Sequence, residues 1–256
     1  MPEARFPPVL LLHGVCSTGE TMGVLVEAFR ARGCIVRAPT LARPLRTDVG
    51  ALDGGLARLG LRSLLAEARR HAEAVTEGLG RKPLVVGHSN GALLALAIAA
   101  LGEAEAVGLV APAPPASVPG APLWLRKMIF TRVFGTGWGT RAIRFRPRWP
   151  FVSDAPGPEL SKTLCPDSGP AMLEVISPVH GGPFDPAPPL PCPAVVVAGS
   201  RDRLIPAPLT RSLARRFGAA HHTIDGAGHW LIGDEAHAHA ICSALLHSCT
   251  PKGMTR

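Results

Sequence analysis

Several hallmarks of common protein classes are missing from this sequence of 256 residues. Its longest strongly apolar stretch, residues 92–101, is about half the length of a membrane-spanning helix. The six cysteines include no Cys-x-x-Cys pair and no metal-ligand spacing, so a metal site is not expected. Residues 1–8 are proline-rich and do not combine a basic start, an apolar run and a cleavage site. We therefore expect reduced thiols and a cytoplasmic location.

Acidic side chains are absent from residues 106–153, although this stretch contains seven of the twelve Phe and Trp residues. Seven basic residues in the same stretch nearly equal the formal net charge of +8 for the whole chain. Such a segment suits an anionic or amphiphilic acyl substrate, or peripheral contact with an acidic membrane surface. The alternative is that the aromatic rings pack inward while the arginines face water. Nucleic-acid binding is not expected, because no zinc or RNA-recognition pattern accompanies the basic charge.

Short apolar runs alternate with amphipathic, helix-forming stretches along the chain. The runs are residues 9–12, 34–38, 84–86, 106–110, 194–198 and 222–224. This alternation predicts an α/β fold with a mostly parallel sheet of about six strands, flanked by helices on both faces. Prolines interrupt the pattern after the strand at 106–110. We expect a core domain of residues 1–111 and 192–256, with a cap inserted as residues 112–191.

One predicted strand-to-helix junction carries the most informative motif, Gly-His-Ser-Asn-Gly at residues 87–91. A serine at the tip of such a turn adopts a strained backbone conformation, and only small residues fit two positions to either side. Gly87 and Gly91 provide that space. The motif is typical of a nucleophile elbow, which makes Ser89 the candidate nucleophile.

A serine hydroxyl needs a base to remove its proton and a carboxylate to orient that base. Asp202 follows the predicted strand 194–198, at the edge of the sheet where parallel strands end. His229 lies in a glycine-containing loop after the strand 222–224. The order Ser89, Asp202, His229 differs from that of the chymotrypsin-like and subtilisin-like proteases.

Other acids and histidines compete for the last two roles. Asp185 lies in a proline-rich stretch and approaches from the cap side, whereas Asp225 ends the strand before the candidate histidine. His221 and His222 lie within or beside that strand, and the remaining C-terminal histidines fall on a predicted helix. The loop positions of Asp202 and His229 make them the favoured pair.

With these features the chain resembles the α/β-hydrolase family, in which nucleophile, acid and histidine follow one another in this order. The resemblance extends to Leu-Leu-His-Gly at residues 11–14, where the family keeps a His-Gly pair in its oxyanion-hole loop. It implies that the backbone amides of Val15 and Asn90 bind the developing oxyanion. Supporting positions are His13, Gly14, Gly87, His88 and Gly91.

Two further segments are similar to bacterial lipase- and esterase-like members of the family, Pro-Ala-Pro-Pro at residues 112–115 and Asp-Ser-Gly-Pro at 167–170. The resemblance implies a serine hydrolase that cleaves a carboxylic ester through an acyl-enzyme, acting on a hydrophobic or lipid-like small molecule. No metal or organic cofactor is needed. Ser17 and Trp230 are candidates for lining the pocket. Cys16 either lines the pocket as well or fills space in the apolar core.

The same three residues serve other reactions on this fold, because fold alone does not decide the bond that is cleaved. Carbon–carbon bond hydrolysis, thioester or lactone hydrolysis and cofactor-free haloperoxidase chemistry remain alternatives. A non-catalytic ligand-binding protein is the alternative from a different class.

Overall fold

The computed structural model describes residues 6–52, 54–118, 120, 122–145, 158–177 and 182–249. The strands are β1 (Val9–Leu12), β2 (Val36–Arg37), β3 (Leu84–His88), β4 (Ala106–Val110), β5 (Ala142–Ile143), β6 (Asp167–Ser168), β7 (Ala194–Gly199) and β8 (Ala220–Ile224). The α-helices are α1 (Gly23–Arg30), α2 (Asp48–Leu52), α3 (Leu61–Leu79), α4 (Asn90–Ala100), α5 (Leu123–Phe134), α6 (Pro158–Lys162), α7 (Gly169–Ile176), α8 (Ala207–Phe217) and α9 (Glu235–Cys249). Short 3₁₀ helices occupy Glu20–Met22, Arg43–Leu45, Leu56–Arg58, Trp138–Thr140 and Leu231–Gly233.

Six strands form one sheet in the order β2-β1-β3-β4-β7-β8, and all of its pairings are parallel. This confirms the predicted parallel sheet of about six strands. The edge strand β2 is shorter than the predicted 34–38, because it has a neighbour on one side only and pairs with β1 over two residues. The last strand begins two residues earlier than predicted, since Ala220 and His221 also pair with β7.

Apolar side chains fill both faces of the sheet. Successive residues of a strand point to opposite faces, so Leu10 and Leu12 of β1 pack towards α3, α4 and α8, while Val9 and Leu11 pack towards α1 and α9. Strands covered on both faces are apolar without a break, as the sequence of each central strand shows. Helix α4 is buried along nearly its whole length. This fixes the residue that precedes it, Ser89, against the centre of the sheet.

The apolar spacing of residues 61–79 predicts a helix that ends before Gly80, and α3 has these bounds. The φ of Gly80, +67°, is the left-handed conformation that glycine adopts at helix ends. The glycines of the preceding stretch, residues 48–60, predict a loop. The stretch instead contains α2 and the 3₁₀ helix Leu56–Arg58. Leu56 is fully buried and anchors this stretch to the core.

Between β4 and β7 the chain leaves the sheet and forms α5, α6, α7 and the antiparallel pair β5–β6. Ser168 caps α7 by accepting a hydrogen bond from Ala171 N at 3.0 Å. Glu174 of α7 accepts one from Leu61 N at 2.9 Å, which ties this segment to the start of α3. None of the helices described here is long and apolar enough to cross a membrane.

Candidate active site

The turn between β3 and α4 presents Ser89. Its φ of +54° and ψ of −118° are a conformation that costs a side-chain-bearing residue about 1–3 kcal/mol. Ser89 N donates to Val110 O of the neighbouring strand at 2.9 Å, which helps to hold the turn. A Cβ on Gly87 would collide with the carbonyl of Gly91, and one on Gly91 would collide with the carbonyl of Leu12. Both glycines are therefore required by backbone contacts.

Three chain segments distant in sequence bring Ser89, His229 and Asp202 into one hydrogen-bonded series. His229 Nε2 lies 3.1 Å from Ser89 Oγ, and His229 Nδ1 lies 2.9 Å from Asp202 Oδ2. All three residues are at most 5% exposed. Because a carboxylate accepts, the Nδ1–H donates to Asp202 and leaves Nε2 to accept the serine proton.

The Asp202 carboxylate is held in its ionised form. Its Oδ1 accepts hydrogen bonds from Leu204 N at 2.9 Å and Ile205 N at 2.8 Å. Burial acts to raise the pKa of Asp202, but the charge and hydrogen bond of His229 and the two backbone amides outweigh it, so the pKa is lowered. The carboxylate is thus available to orient the imidazole.

The competing acids and histidine have other partners. Asp185 accepts hydrogen bonds from the backbone and the hydroxyl of Ser117. Asp225 accepts from Ser200 Oγ at 3.0 Å, and His221 Nε2 lies 3.0 Å from Thr210 Oγ1. Of the acids considered from the sequence, the structure places Asp202 beside the candidate base.

Val15 and Asn90 both line the cavity in front of Ser89. Neither backbone amide donates to another group within the described part of the chain. Gly14 lies so close to the nucleophile that a Cβ there would sit 3.0 Å from Ser89 Cβ. The two residues predicted to supply the oxyanion donors therefore line the same cavity as Ser89, and the role of their amides stays a prediction.

His13 ties the loop after β1 to the chain that follows β2. Its Nε2 accepts from Leu41 N at 3.0 Å, and Nδ1 lies 2.9 Å from Gly14 O. Nδ1 therefore carries the proton and donates to that carbonyl. Burial, with a further contribution from Arg46, lowers the pKa of His13 to about 4, so the ring is neutral near pH 7.

His88 contacts the backbone of the candidate base. Its Nε2 donates to His229 O at 2.8 Å, and the two ring centroids are 5.1 Å apart. Burial, followed by the charge of His229, lowers the pKa of His88 to about 3. Within the described residues, His88 Nδ1 is buried without a hydrogen-bond partner. A neutral His88 thus supports the segment that carries His229.

A buried ion pair next to the oxyanion loop was not predicted. Arg46 Nη1 lies 2.9 Å from Asp167 Oδ2, and the side chains are 3% and 6% exposed. The same carboxylate oxygen accepts from Cys16 N at 2.7 Å, while Arg46 Nε donates to Leu41 O at 2.5 Å. Asp167 belongs to the Asp-Ser-Gly-Pro segment noted in the sequence, but Arg46 lies in no motif.

The cavity in front of Ser89 has a volume of about 760 Å³, within the usual range for small-molecule sites. Ser17 and Trp230 are among the residues that line it. Cys16 is not among the lining residues; its side chain is fully buried in the core cluster, so the alternative of an apolar filler fits this residue. The free thiols in the structure are Cys16, Cys34, Cys165, Cys192 and Cys242.

Among the basic and aromatic residues between 106 and 153, some aromatic rings pack inward and others are exposed. Phe130, Phe134 and Trp138 pack against one another with ring centroids about 6 Å apart. Arg144 pairs with Asp48, whereas Trp124 is 67% exposed. Arg146, Arg148, Trp149 and Phe151 lie outside the described residues. Contact with an acidic membrane stays a prediction.

A sequence model described as the alpha/beta hydrolase family matches residues 9–243, which include all three members of the hydrogen-bonded series. The chain belongs to the alpha/beta hydrolase family. Membership of this family supports hydrolysis of a small-molecule substrate. No curated protein matches the chain.

Several solved structures share the fold at low sequence identity. A monoacylglycerol lipase of Paleococcus ferrophilus is 19% identical, with a TM-score of 0.64 over 95% of this chain and 96% of that one. A pyrethroid hydrolase from Sphingobium faniae JZ-2 is 18% identical, with a TM-score of 0.60 over 94% and 97%. Est1E from Butyrivibrio proteoclasticus is 16% identical, with a TM-score of 0.59 over 96% and 90%. At such identities the likeness establishes the fold.

Proposed function

We propose that this protein is a serine hydrolase that cleaves carboxylic esters through an acyl-enzyme intermediate. The observation that carries the proposal is the series Ser89–His229–Asp202, joined by hydrogen bonds of 3.1 and 2.9 Å beside a large apolar cavity. The monoacylglycerol lipase and the pyrethroid hydrolase that share the fold are consistent with this chemistry.

In the proposed mechanism, Ser89 Oγ attacks the ester carbonyl carbon as His229 Nε2 takes the hydroxyl proton. The ionised Asp202 stabilises the imidazolium. The amides of Val15 and Asn90 bind the oxyanion, and donors of this kind contribute roughly 3–4 kcal/mol each. The imidazolium then protonates the departing alkoxide, which releases the alcohol. Water, deprotonated by His229, then attacks the acyl carbon. The bond between Ser89 Oγ and the acyl group breaks as the imidazolium returns the proton to Oγ, which releases the acid and restores the enzyme.

We also propose that residues 112–191 form a cap over a core of residues 1–111 and 192–256. The cavity is lined on one side by core residues such as Ser89 and on the other by residues of α5 and α7, including Phe130 and Met172. Apolar side chains of the inserted segment would then select a hydrophobic acyl or alcohol group.

A substrate panel separates this proposal from the alternatives. 4-Nitrophenyl esters of increasing chain length are compared with acyl thioesters, lactones and ring-cleavage dienoates, using wild type and Ser89→Ala. We expect the esters to be the best substrates and the variant to lose activity by about 10⁴-fold or more. Faster turnover of a thioester, lactone or dienoate would assign the site to that reaction. Wild-type activity in Ser89→Ala would show that Ser89 is not the nucleophile.

A further inference from the structure

The charged groups that line the cavity have one sign. Arg126 and Arg203 line it, whereas no Asp or Glu does among the residues that the structure describes. The walls around the two cations are largely aliphatic and aromatic, including Ile129, Phe130, Val175, Ile176 and Leu209. A cation beside such walls attracts an anion more strongly than it would in open water, because the surroundings screen the charge less.

The guanidinium of Arg126, and not only its aliphatic stem, lies at the cavity wall. Its Nη1 donates to Ile176 O at 3.3 Å. Its Nη2 lies 2.8 Å from the point where a Cβ on Gly120 would sit, and Leu209 Cδ1 lies 3.8 Å from the same point. Burial lowers the pKa of Arg126, which agrees with a charged group partly withdrawn from water. The charge therefore sits where α5, α7 and α8 approach one another.

Helix α7 contacts both Arg126 and the residue that follows the nucleophile. Asn90, which directly follows Ser89, donates a hydrogen bond from Nδ2 to Met172 Sδ at 3.2 Å. Ile176, whose carbonyl accepts the hydrogen bond from Arg126, is four residues further along the helix. This is about 6 Å at a rise of 1.5 Å per residue. Arg126 therefore contacts α7 about one helical turn beyond the residue that contacts Asn90, and the cavity that Ser89 lines also reaches Arg126.

We infer that the substrate is an ester with an anionic group, a carboxylate or a phosphate, at the end remote from the scissile bond, and that Arg126 binds this group. The inference rests on the proposed ester hydrolysis at Ser89 and specifies its substrate class. A planar guanidinium presents paired N–H donors that match the oxygens of either anion.

Arg203 has a smaller role. Arg203 is exposed at the cavity, so solvent and salt screen its charge. It therefore attracts anions towards the cavity but does not hold one group in a fixed position. A purely structural role for Arg126, holding the end of α7 through Ile176 O, predicts something different. Its loss would then lower stability and affect neutral and anionic substrates alike.

The test compares two substrates of equal chain length, 4-nitrophenyl octanoate, which ends in a methyl group, and the 4-nitrophenyl monoester of octanedioic acid, which ends in a carboxylate. The ratio of their kcat/KM values is measured for wild type, Arg126→Gln, Arg126→Lys and Arg203→Gln. Lys127→Gln is the matched control, because Lys127 is the next residue of α5, is exposed and does not line the cavity. Thermal unfolding confirms that each variant is folded.

We expect the anionic-to-neutral ratio to fall by ~10-fold or more in Arg126→Gln, as for loss of a charge-assisted hydrogen bond. Arg126→Lys should keep part of the preference, Arg203→Gln should change it less, and Lys127→Gln should leave it unchanged. Competition by decanoate and by decyl phosphate then shows which anion the site favours. A folded Arg126→Gln protein that hydrolyses the neutral ester with an unchanged ratio would overturn the inference.

If wild type hydrolyses neither ester, the proposed ester hydrolysis fails, and the anion site is decided by binding. Calorimetric titration with octanedioate is then performed on wild type and Arg126→Gln. Binding that Arg126→Gln abolishes would uphold the anion site for another reaction. Equal binding to both proteins, or none to wild type, would refute it.

Discussion

Replacing Arg46 with leucine would leave the Asp167 carboxylate buried without its cation. The two side chains are 3% and 6% exposed and 2.9 Å apart, so water cannot readily solvate the carboxylate that remains. Removal of one partner of a buried pair costs about 3–5 kcal/mol. At about 2–4 °C per kcal/mol for a protein of this size, the unfolding midpoint should fall by roughly 6–20 °C.

The activity of Arg46→Leu follows from the same contacts. Asp167 Oδ2 holds Cys16 N, one residue beyond the amide proposed to bind the oxyanion. A negative charge without its cation at this position would oppose the charge that develops on the substrate oxygen. We therefore expect kcat for a neutral 4-nitrophenyl ester to fall more than KM changes, because the opposition is greatest in the transition state.

The double variant Arg46→Leu/Asp167→Asn provides the control. The amide oxygen introduced at 167 keeps an acceptor for Cys16 N but carries no charge, so the double variant should be more stable and more active than Arg46→Leu alone. Thermal unfolding and ester kinetics on wild type, Arg46→Leu, Asp167→Asn and the double variant measure the coupling between the two side chains. Additive effects, or a single variant with the wild-type midpoint, would show that the pair does not hold the oxyanion loop.

Two further predictions concern pH and the elbow. Burial lowers the pKa of His13 to about 4 and of His88 to about 3, below the ordinary value of 6.5, so between about pH 4 and 6.5 the unfolded chain binds protons that the native state does not. The free energy of unfolding should therefore fall on acidification by up to about 1.4 kcal/mol per pH unit for each ring. Denaturant unfolding at several pH values measures this slope, and His88→Asn should reduce it by the contribution of one ring. An unchanged slope would contradict the neutral, buried state of His88. Gly91→Ala should abolish activity and lower the unfolding midpoint, because the added Cβ meets the Leu12 carbonyl, whereas Gly78→Ala on α3, with nothing within 4 Å, should keep both. Wild-type activity in Gly91→Ala would refute the close approach.

Much of the fold and the centre of the site follow from local sequence patterns. Apolar runs fixed the central strands, and Gly80 marked the end of α3, because these features depend on neighbouring residues. Ser89 was identified by the glycines on either side of it. Asp202 and His229 were placed by the rule that loops at the carboxyl ends of parallel strands meet at one edge.

The parts that escaped prediction depend on contacts between distant segments. Arg46 and Asp167 are 121 positions apart in the numbering, and nothing in the sequence around Arg46 distinguishes it from a solvent-exposed arginine. Cys16 has a positive φ of 55° and a fully buried side chain, and no local pattern in the sequence indicates either feature. The inward position of Arg126 likewise follows from the packing of α5 against α7.

Activation of Ser89 by His229 and Asp202 can be measured by labelling the folded protein with a fluorophosphonate probe, followed by mass spectrometry of its peptides. We expect a stoichiometric adduct on Ser89 in wild type and labelling that is slower by orders of magnitude in folded His229→Gln. Absence of an adduct on Ser89, or labelling at the wild-type rate in the variant, would contradict this activation.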